Sequence, residues 1–91
     1  MVQINMGYIP GERIIISNYK FNEASVADLK RYGIDEIKKK GKENLVRMNC
    51  TSEPNGEYLR EEGLRMKYSY FDRDSAHIYD IWVSKKDCAQ F

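Results

Sequence analysis

The sequence lacks the features that mark most enzymes, membrane proteins and secreted scaffolds. Its 91 residues include one histidine, two cysteines and six glycines that all stand singly, so neither a disulfide framework nor a glycine-rich phosphate loop is indicated. Fifteen basic residues nearly cancel fourteen acidic ones, which excludes proteins that act through a large excess of one charge. No apolar run approaches the roughly 20 residues that a membrane span needs. We therefore expect a single small globular domain over residues 1–91.

The scarcity of cysteine also bears on the compartment. Cys50 and Cys88 are too few for a disulfide scaffold, and residues 1–6 lack the basic and apolar stretches of a signal peptide. We therefore predict two reduced thiols in a cytoplasmic protein. The last residues, 86–91, are predicted to form a flexible tail.

What the chain has in quantity is alternation of apolar and polar residues near its N-terminus. Residues 2–8 place an apolar side chain at every second position, which predicts a half-buried strand. The isoleucine triplet 14–16 predicts a second strand, because β-branched residues in a row favour extended backbone. The turn at Pro10-Gly11 brings the two strands within reach of each other as a hairpin.

The middle of the chain predicts a helix. Ser25 and Asp28 have capping-box spacing, and Gly33 either ends a first short helix or interrupts one continuous helix. Gly41 follows a lysine run and is the expected helix end. Residues 45–51 alternate again and predict a strand.

The C-terminal third predicts a β-hairpin. Residues 64–71 and 78–83 alternate around the polar turn 72–75, while residues 57–63 fit either a short helical turn or an irregular edge. The element order is therefore β-β-α-β-β-β. It predicts an α+β fold with a mostly antiparallel four- to five-stranded sheet and one main helix packed on one face.

Aromatic side chains concentrate in the C-terminal hairpin, and strand alternation places them on both faces of the sheet. One helix covers only one face, so the other face is available to a partner. Acidic side chains after residue 52 would steer a basic partner surface. We predict a non-enzymatic protein-binding or homodimerising module, a small regulator or inhibitor of the kind that phages and mobile elements encode. The candidate protein-binding residues are Tyr68, Tyr70, Phe71, Tyr79, Trp82, Glu57 and Glu61.

Charge is distributed unevenly, which supports a second hypothesis. Residues 28–50 carry a net charge of +3, and residues 51–74 carry −2. A basic cluster beside aromatic side chains is typical of nucleic-acid binding, through phosphate contacts and base stacking. The candidate nucleic-acid-binding residues are Lys38, Lys39, Lys40, Lys42 and Arg47.

A third hypothesis rests on a partial resemblance. Residues 64–68, 81–83 and 85–87 resemble the last strands and the basic ending of RelE/ParE-type ribonuclease toxins. The resemblance implies a small ribonuclease but assigns no site residues. Under this hypothesis the chemistry would fall to this chain's own His77, Lys85, Lys86 or tyrosine side chains. We expect no small-molecule cofactor and no membrane association. We also expect no metal site, because Asp72, Asp74 and His77 do not form a closed ligand set.

Overall fold

Two β-hairpins and the helical segment between them make up the fold. The computed structural model describes residues 2–22 and 25–90. The elements, in chain order, are β1 (Val2–Ile9), β2 (Ile14–Lys20), α1 (Val26–Tyr32), α2 (Ile34–Thr51), α3 (Asn55–Arg60), β3 (Arg65–Phe71), β4 (His77–Val83) and a 3-10 helix (Lys85–Gln90). The α+β class, the four-stranded sheet and the main helix are as predicted.

The sheet is mixed, with strand order β1-β2-β3-β4. The outer pairs β1–β2 and β3–β4 are antiparallel hairpins, but the central pair β2–β3 is parallel. The prediction of a mostly antiparallel sheet is therefore wrong. The physical reason is the connection: α1, α2 and α3 lie between β2 and β3, and a parallel pair requires a crossover of this length, which a short turn cannot provide.

Helix α2 is longer than predicted. It runs through Gly41, the expected end, and includes residues 45–51, so the predicted strand over these residues is wrong. A Cβ at Gly41 would stand 3.2 Å from Ile81 Cδ1, so the missing side chain lets α2 pack closely on β4. Tertiary packing outweighs the modest helix cost of glycine here. The inward-facing residues of the misassigned segment have helical spacing: Leu45, Val46, Asn49 and Cys50.

The predicted signals at the start of α1 are confirmed. The Ser25 hydroxyl accepts from the Asp28 amide at 3.2 Å, and the Asp28 carboxylate accepts from the Ser25 amide at 3.2 Å. Gly33 adopts a left-handed conformation with φ of 87° and separates α1 from α2, which decides between the two alternatives for this position. Glycine takes this conformation without the strain that a Cβ would cause.

Asp72 joins the β3–β4 turn to α1. Its Oδ1 accepts the backbone N–H groups of Asp74 and Ala76, both at 2.8 Å, and its Oδ2 accepts the N–H of Val26 at 3.1 Å. The N–H of Ala76 is the main reason that the pKa of Asp72 lies below its usual value, since hydrogen-bond donors stabilise the ionised carboxylate. One buried carboxylate thus holds a turn and a helix start together.

We expect Asp72→Asn to weaken the pH dependence of stability. A carboxylate with a lowered folded-state pKa stabilises the fold above its unfolded pKa, near 3.9, and loses that contribution as the pH falls through its folded pKa. Denaturant unfolding from pH 7 to pH 2 should show the variant less stable than the wild type at neutral pH. The gap should close at acid pH, where Asp72 is protonated too. A gap that stays constant over this range would contradict the role given to the ionised carboxylate.

The prediction of two reduced thiols is wrong. Cys50 at the end of α2 and Cys88 in the 3-10 helix form a disulfide, with an S–S distance of 2.02 Å. The bridge lies in a core cluster with Leu59, Met66 and Val83. Residues 85–90, which include most of the predicted flexible tail, form the 3-10 helix, and Phe91 lies outside the described residues.

The disulfide also changes the argument about the compartment. The expectation of a cytoplasmic protein rested in part on reduced thiols, and structural disulfides are typical of oxidising compartments. A cytoplasmic location therefore stays a prediction without that support. In the part of the chain that the structure describes, no helix has both the length and the apolar character required to cross a bilayer.

Candidate functional site

The tyrosines proposed as binding residues lie mainly beneath the helices. Tyr70 and Tyr79 are 7% and 8% exposed, and their ring centroids are 5.0 Å apart. Tyr19 stacks on Tyr70 at 5.6 Å. Burial and the neighbouring tyrosines raise the pKa of Tyr70 to about 12, because the phenolate is poorly solvated there. These rings form a core cluster on the helix-covered face and offer little surface to a partner.

Tyr68 belongs to the same face but carries a polar function. Its hydroxyl accepts from Asn49 Nδ2 at 2.9 Å, and burial raises its pKa above the usual value. Asn49 is 3% exposed and also donates to the Leu45 carbonyl at 2.8 Å, while Asn55 donates to its Oδ1 at 2.8 Å. The buried amide thus has partners at both ends, and the network ties α2, α3 and β3 together.

Trp82 lies on the sheet face that the helices leave open. It is 38% exposed, with the Arg65 guanidinium carbon 5.4 Å and the Lys67 ammonium nitrogen 5.5 Å from its ring centroid. Phe71 contacts the His77 ring edge-on at 5.6 Å. The open face is therefore a mixture of cations and aromatic rings, in which the cations already occupy positions over the indole.

The basic cluster of the nucleic-acid hypothesis follows the exposed side of α2. Lys38 and Lys39 border a cavity of about 420 Å³ next to Trp82, with Asp35 and Asp80 on the same rim. Lys42 is engaged differently, since it pairs with Asp87 at 3.3 Å and also donates to the Trp82 carbonyl. Lys40 and Arg47 are also exposed. The carboxylates among these lysines reduce the electrostatic attraction of this surface for a phosphate backbone.

The structure does not bring the ribonuclease candidates together. His77 begins β4 and contacts the Asp80 carboxylate at 2.8 Å, whereas Lys85 and Lys86 follow the far end of the same strand. The seven residues of β4 span about 20 Å between these ends. Within residues 2–22 and 25–90, no group of three or more His, Cys, Asp or Glu side chains is placed to hold a metal ion.

A run of exposed apolar side chains lies on β1. Ile4, Met6 and Tyr8 are 51%, 67% and 55% exposed, although their alternation predicts a half-buried strand. The reason is that β1 is an edge strand, and the helices pack over the sheet from β2 to β4. The side chain of Val2, which belongs to the same pattern, lies outside the description. One edge of β1 thus presents unpaired backbone groups beside exposed apolar side chains.

A groove lies between β1 and α3. Its volume is about 500 Å³, and its lining is apolar along most of its length: Met6, Gly7, Tyr8, Ile15, Tyr58 and Leu64. Glu61 and Glu62 stand at one end of this groove, where they line a second cavity with Tyr8 and Arg13. Of the two acidic candidates, Glu61 is therefore next to the groove, while Glu57 is exposed on α3.

The binding residues predicted from the sequence lie mainly in the C-terminal hairpin, and β1 was not considered among them. A usable signal was present: β1 contains no charged residue at any of its eight positions. Edge strands commonly carry charges that discourage further pairing, so their absence distinguishes β1 from an ordinary edge. No protein-family model matches the chain, and comparisons with curated proteins and with solved structures find no match either.

Proposed function

We propose that this protein is a binding module that recognises a protein partner through its β1 surface. By β1 surface we mean the outer edge of β1 together with the groove lined by Met6, Tyr8, Ile15, Tyr58 and Leu64. The single observation that carries the proposal is the exposure of an uncharged edge strand beside an apolar groove.

The edge supplies affinity through the backbone. An extended segment that pairs with β1 would satisfy the N–H and C=O groups that β1 turns away from β2, as in other complexes formed by strand addition. Such pairing depends little on the partner's sequence. An edge alone would therefore be unselective.

The groove supplies the selectivity. Strand side chains point alternately to the two faces, so a segment added to β1 turns every second side chain toward the helix-bearing face. There Met6 and Tyr8 present apolar contacts, and Leu64 forms part of the groove floor. Glu61 and Glu62 at one end favour a partner with a basic residue at that position.

We expect Met6→Lys to abolish partner binding. A lysine at this exposed position removes apolar contact area and places a charge in the middle of the edge, as natural edge strands do to prevent pairing. Affinity capture with the tagged protein should recover a partner with the wild type and lose it with the variant. In the complex, the amides of residues 3–9 should become protected from hydrogen exchange.

The matched control is Met48→Lys. Met48 is 62% exposed on α2, close to the 67% of Met6, but lies outside the β1 surface. It should retain the partner. Capture that survives Met6→Lys, or protection that appears elsewhere than β1, would refute the proposal. Capture that disappears on nuclease treatment would favour the nucleic-acid hypothesis instead.

A further inference from the structure

We infer that the partner of the β1 surface is a second copy of this chain, paired through antiparallel β1 strands about a two-fold axis; this inference rests on the proposed function. The pairing would join two four-stranded sheets into one sheet of eight strands. Three features of the molecule point to it: the chemistry of the two sheet edges, the shape of the helix layer and the distribution of charge.

The two edges of the sheet differ in how they are protected. β4 carries Asp80 and His77, and the Lys42 ammonium bonds the Trp82 carbonyl on that strand. β1 has no charged residue, and its only irregularity is a register shift between Gln3 and Asn5. Pairing is therefore favoured at β1 alone, so two copies close into a dimer rather than extending into a fibre.

The helix layer leaves the face of β1 uncovered, so a strand paired with β1 would find space above it. Leu59 of α3 packs with Ile15 on β2 and Met66 on β3, so α3 stands over the inner strands and not over β1. In the dimer, the two β2 strands would be three strand spacings apart, about 14 Å. The trough between the two α3 helices would be filled by Met6 and Tyr8 of both copies.

Strand geometry places Met6 close to the axis. Residues opposite each other in an antiparallel ladder share a face, and Met6 and Tyr8 lie on the face that carries Ile15. Pairing of the regular part of β1, residues 5–9, therefore sets Met6 against Met6 or Tyr8 of the second copy. Both arrangements exchange exposed apolar surface for apolar contact.

Charge at the ends of β1 is complementary under the same symmetry. Lys20 lies beside the start of β1, opposite Val2, whereas Glu12, Glu61 and Glu62 lie near its other end and outnumber the two cations there, Arg13 and Arg65. Antiparallel pairing brings the start of one β1 beside the end of the other. Lys20 of each copy then lies at the same end of the strand pair as the acidic side chains of the second copy.

The test is the oligomeric state of the purified full chain, measured by sedimentation equilibrium and light scattering between about 1 and 100 µM. The wild type and Met48→Lys should be dimers. Met6→Lys and Met6→Glu should each raise the dissociation constant by about tenfold or more, because like charges oppose each other across the strands. An equimolar mixture of these two variants should dimerise again, since the charges are then opposite.

Two results would overturn the inference. One is a monomeric wild type over the whole range, and the other is a dimer that Met6→Lys leaves intact. Circular dichroism spectra matching the wild type would show that the variants are folded. If the wild type is monomeric while capture of another protein still depends on Met6, self-pairing fails and the proposed function stands.

Discussion

Removal of the disulfide, by replacing Cys50 and Cys88 together with alanine, is expected to lower the free energy of unfolding by about 4 kcal/mol. The two cysteines are 38 residues apart, and closing a loop of that length removes this much conformational freedom from the unfolded chain. Both side chains are also buried, at 3% and 1% exposure, so the substitution loses packing as well. Domains of this size have about 5–15 kcal/mol of stability in total.

The bridge matters for a structural reason beyond the loop length. It fastens the 3-10 helix of residues 85–90 to the end of α2, while the ion pair between Lys42 and Asp87 is a second, partly exposed link at 3.3 Å. An exposed ion pair contributes little by itself. Without the bridge, the amide hydrogens of the 3-10 helix should exchange faster than in the wild type, by a larger factor than those of β3 and β4.

Urea unfolding with and without dithiothreitol measures this effect. Reductant should shift the midpoint of the wild type toward lower urea and leave the double alanine variant unchanged, which serves as the control. A wild-type midpoint that does not respond to reductant would show that the disulfide is not a stabilising element of this fold.

Leu59→Ala is expected to cost about 2–5 kcal/mol. Leu59 is fully buried, and it packs where α3, the sheet and the disulfide meet, against Met66, Val83 and Cys88. The shorter alanine side chain buries less apolar surface and leaves a cavity between α3 and the sheet. Thermal and urea unfolding would measure the loss.

Met48→Ala is the matched control for this substitution. It removes a similar apolar side chain from an exposed helical position, so its effect should stay within about 0.5 kcal/mol. Equal losses for the two variants would contradict the core assigned to Leu59. Because Leu59 touches the disulfide, we also expect its effect to differ in the reduced protein, since contacting sites are not additive.

The two hairpins illustrate what local pattern can predict. The strands of β3–β4 follow a period of two over seven residues each, and a polar turn separates them, so the hairpin and the two faces of its strands could be predicted directly. The capping box of Ser25 and Asp28 is equally local, and it was found for the same reason. Such features depend on residues a few positions apart.

The errors all involve distant contacts. Residues 45–51 fit a strand by alternation, and only their packing against β3 and the disulfide makes them helical. The parallel pairing of β2 with β3 joins residues about 50 positions apart, as in Ile15 with Met66. The Cys50–Cys88 bridge is likewise long-range, and cysteine count alone favoured free thiols.

The candidate site shows the same division. The sequence identified Tyr68, Tyr70 and Tyr79 as aromatic strand residues, but their burial follows from which face the helices cover. The apolar alternation of β1 was visible, yet its exposure follows from its place at the end of the strand order. The sequence gives the type of each side chain, but its solvent accessibility depends on the tertiary structure.

The sequence by itself determined a small α+β domain with two hairpins, a capped helical segment and a neutral first strand. The tertiary structure decided the mixed sheet, the full length of α2, the disulfide and the exposure of β1. The physical reason is that period and capping are properties of neighbouring residues, while sheet order and burial depend on which distant surfaces meet. The β1 surface, and with it the proposed pairing, belongs to the second kind.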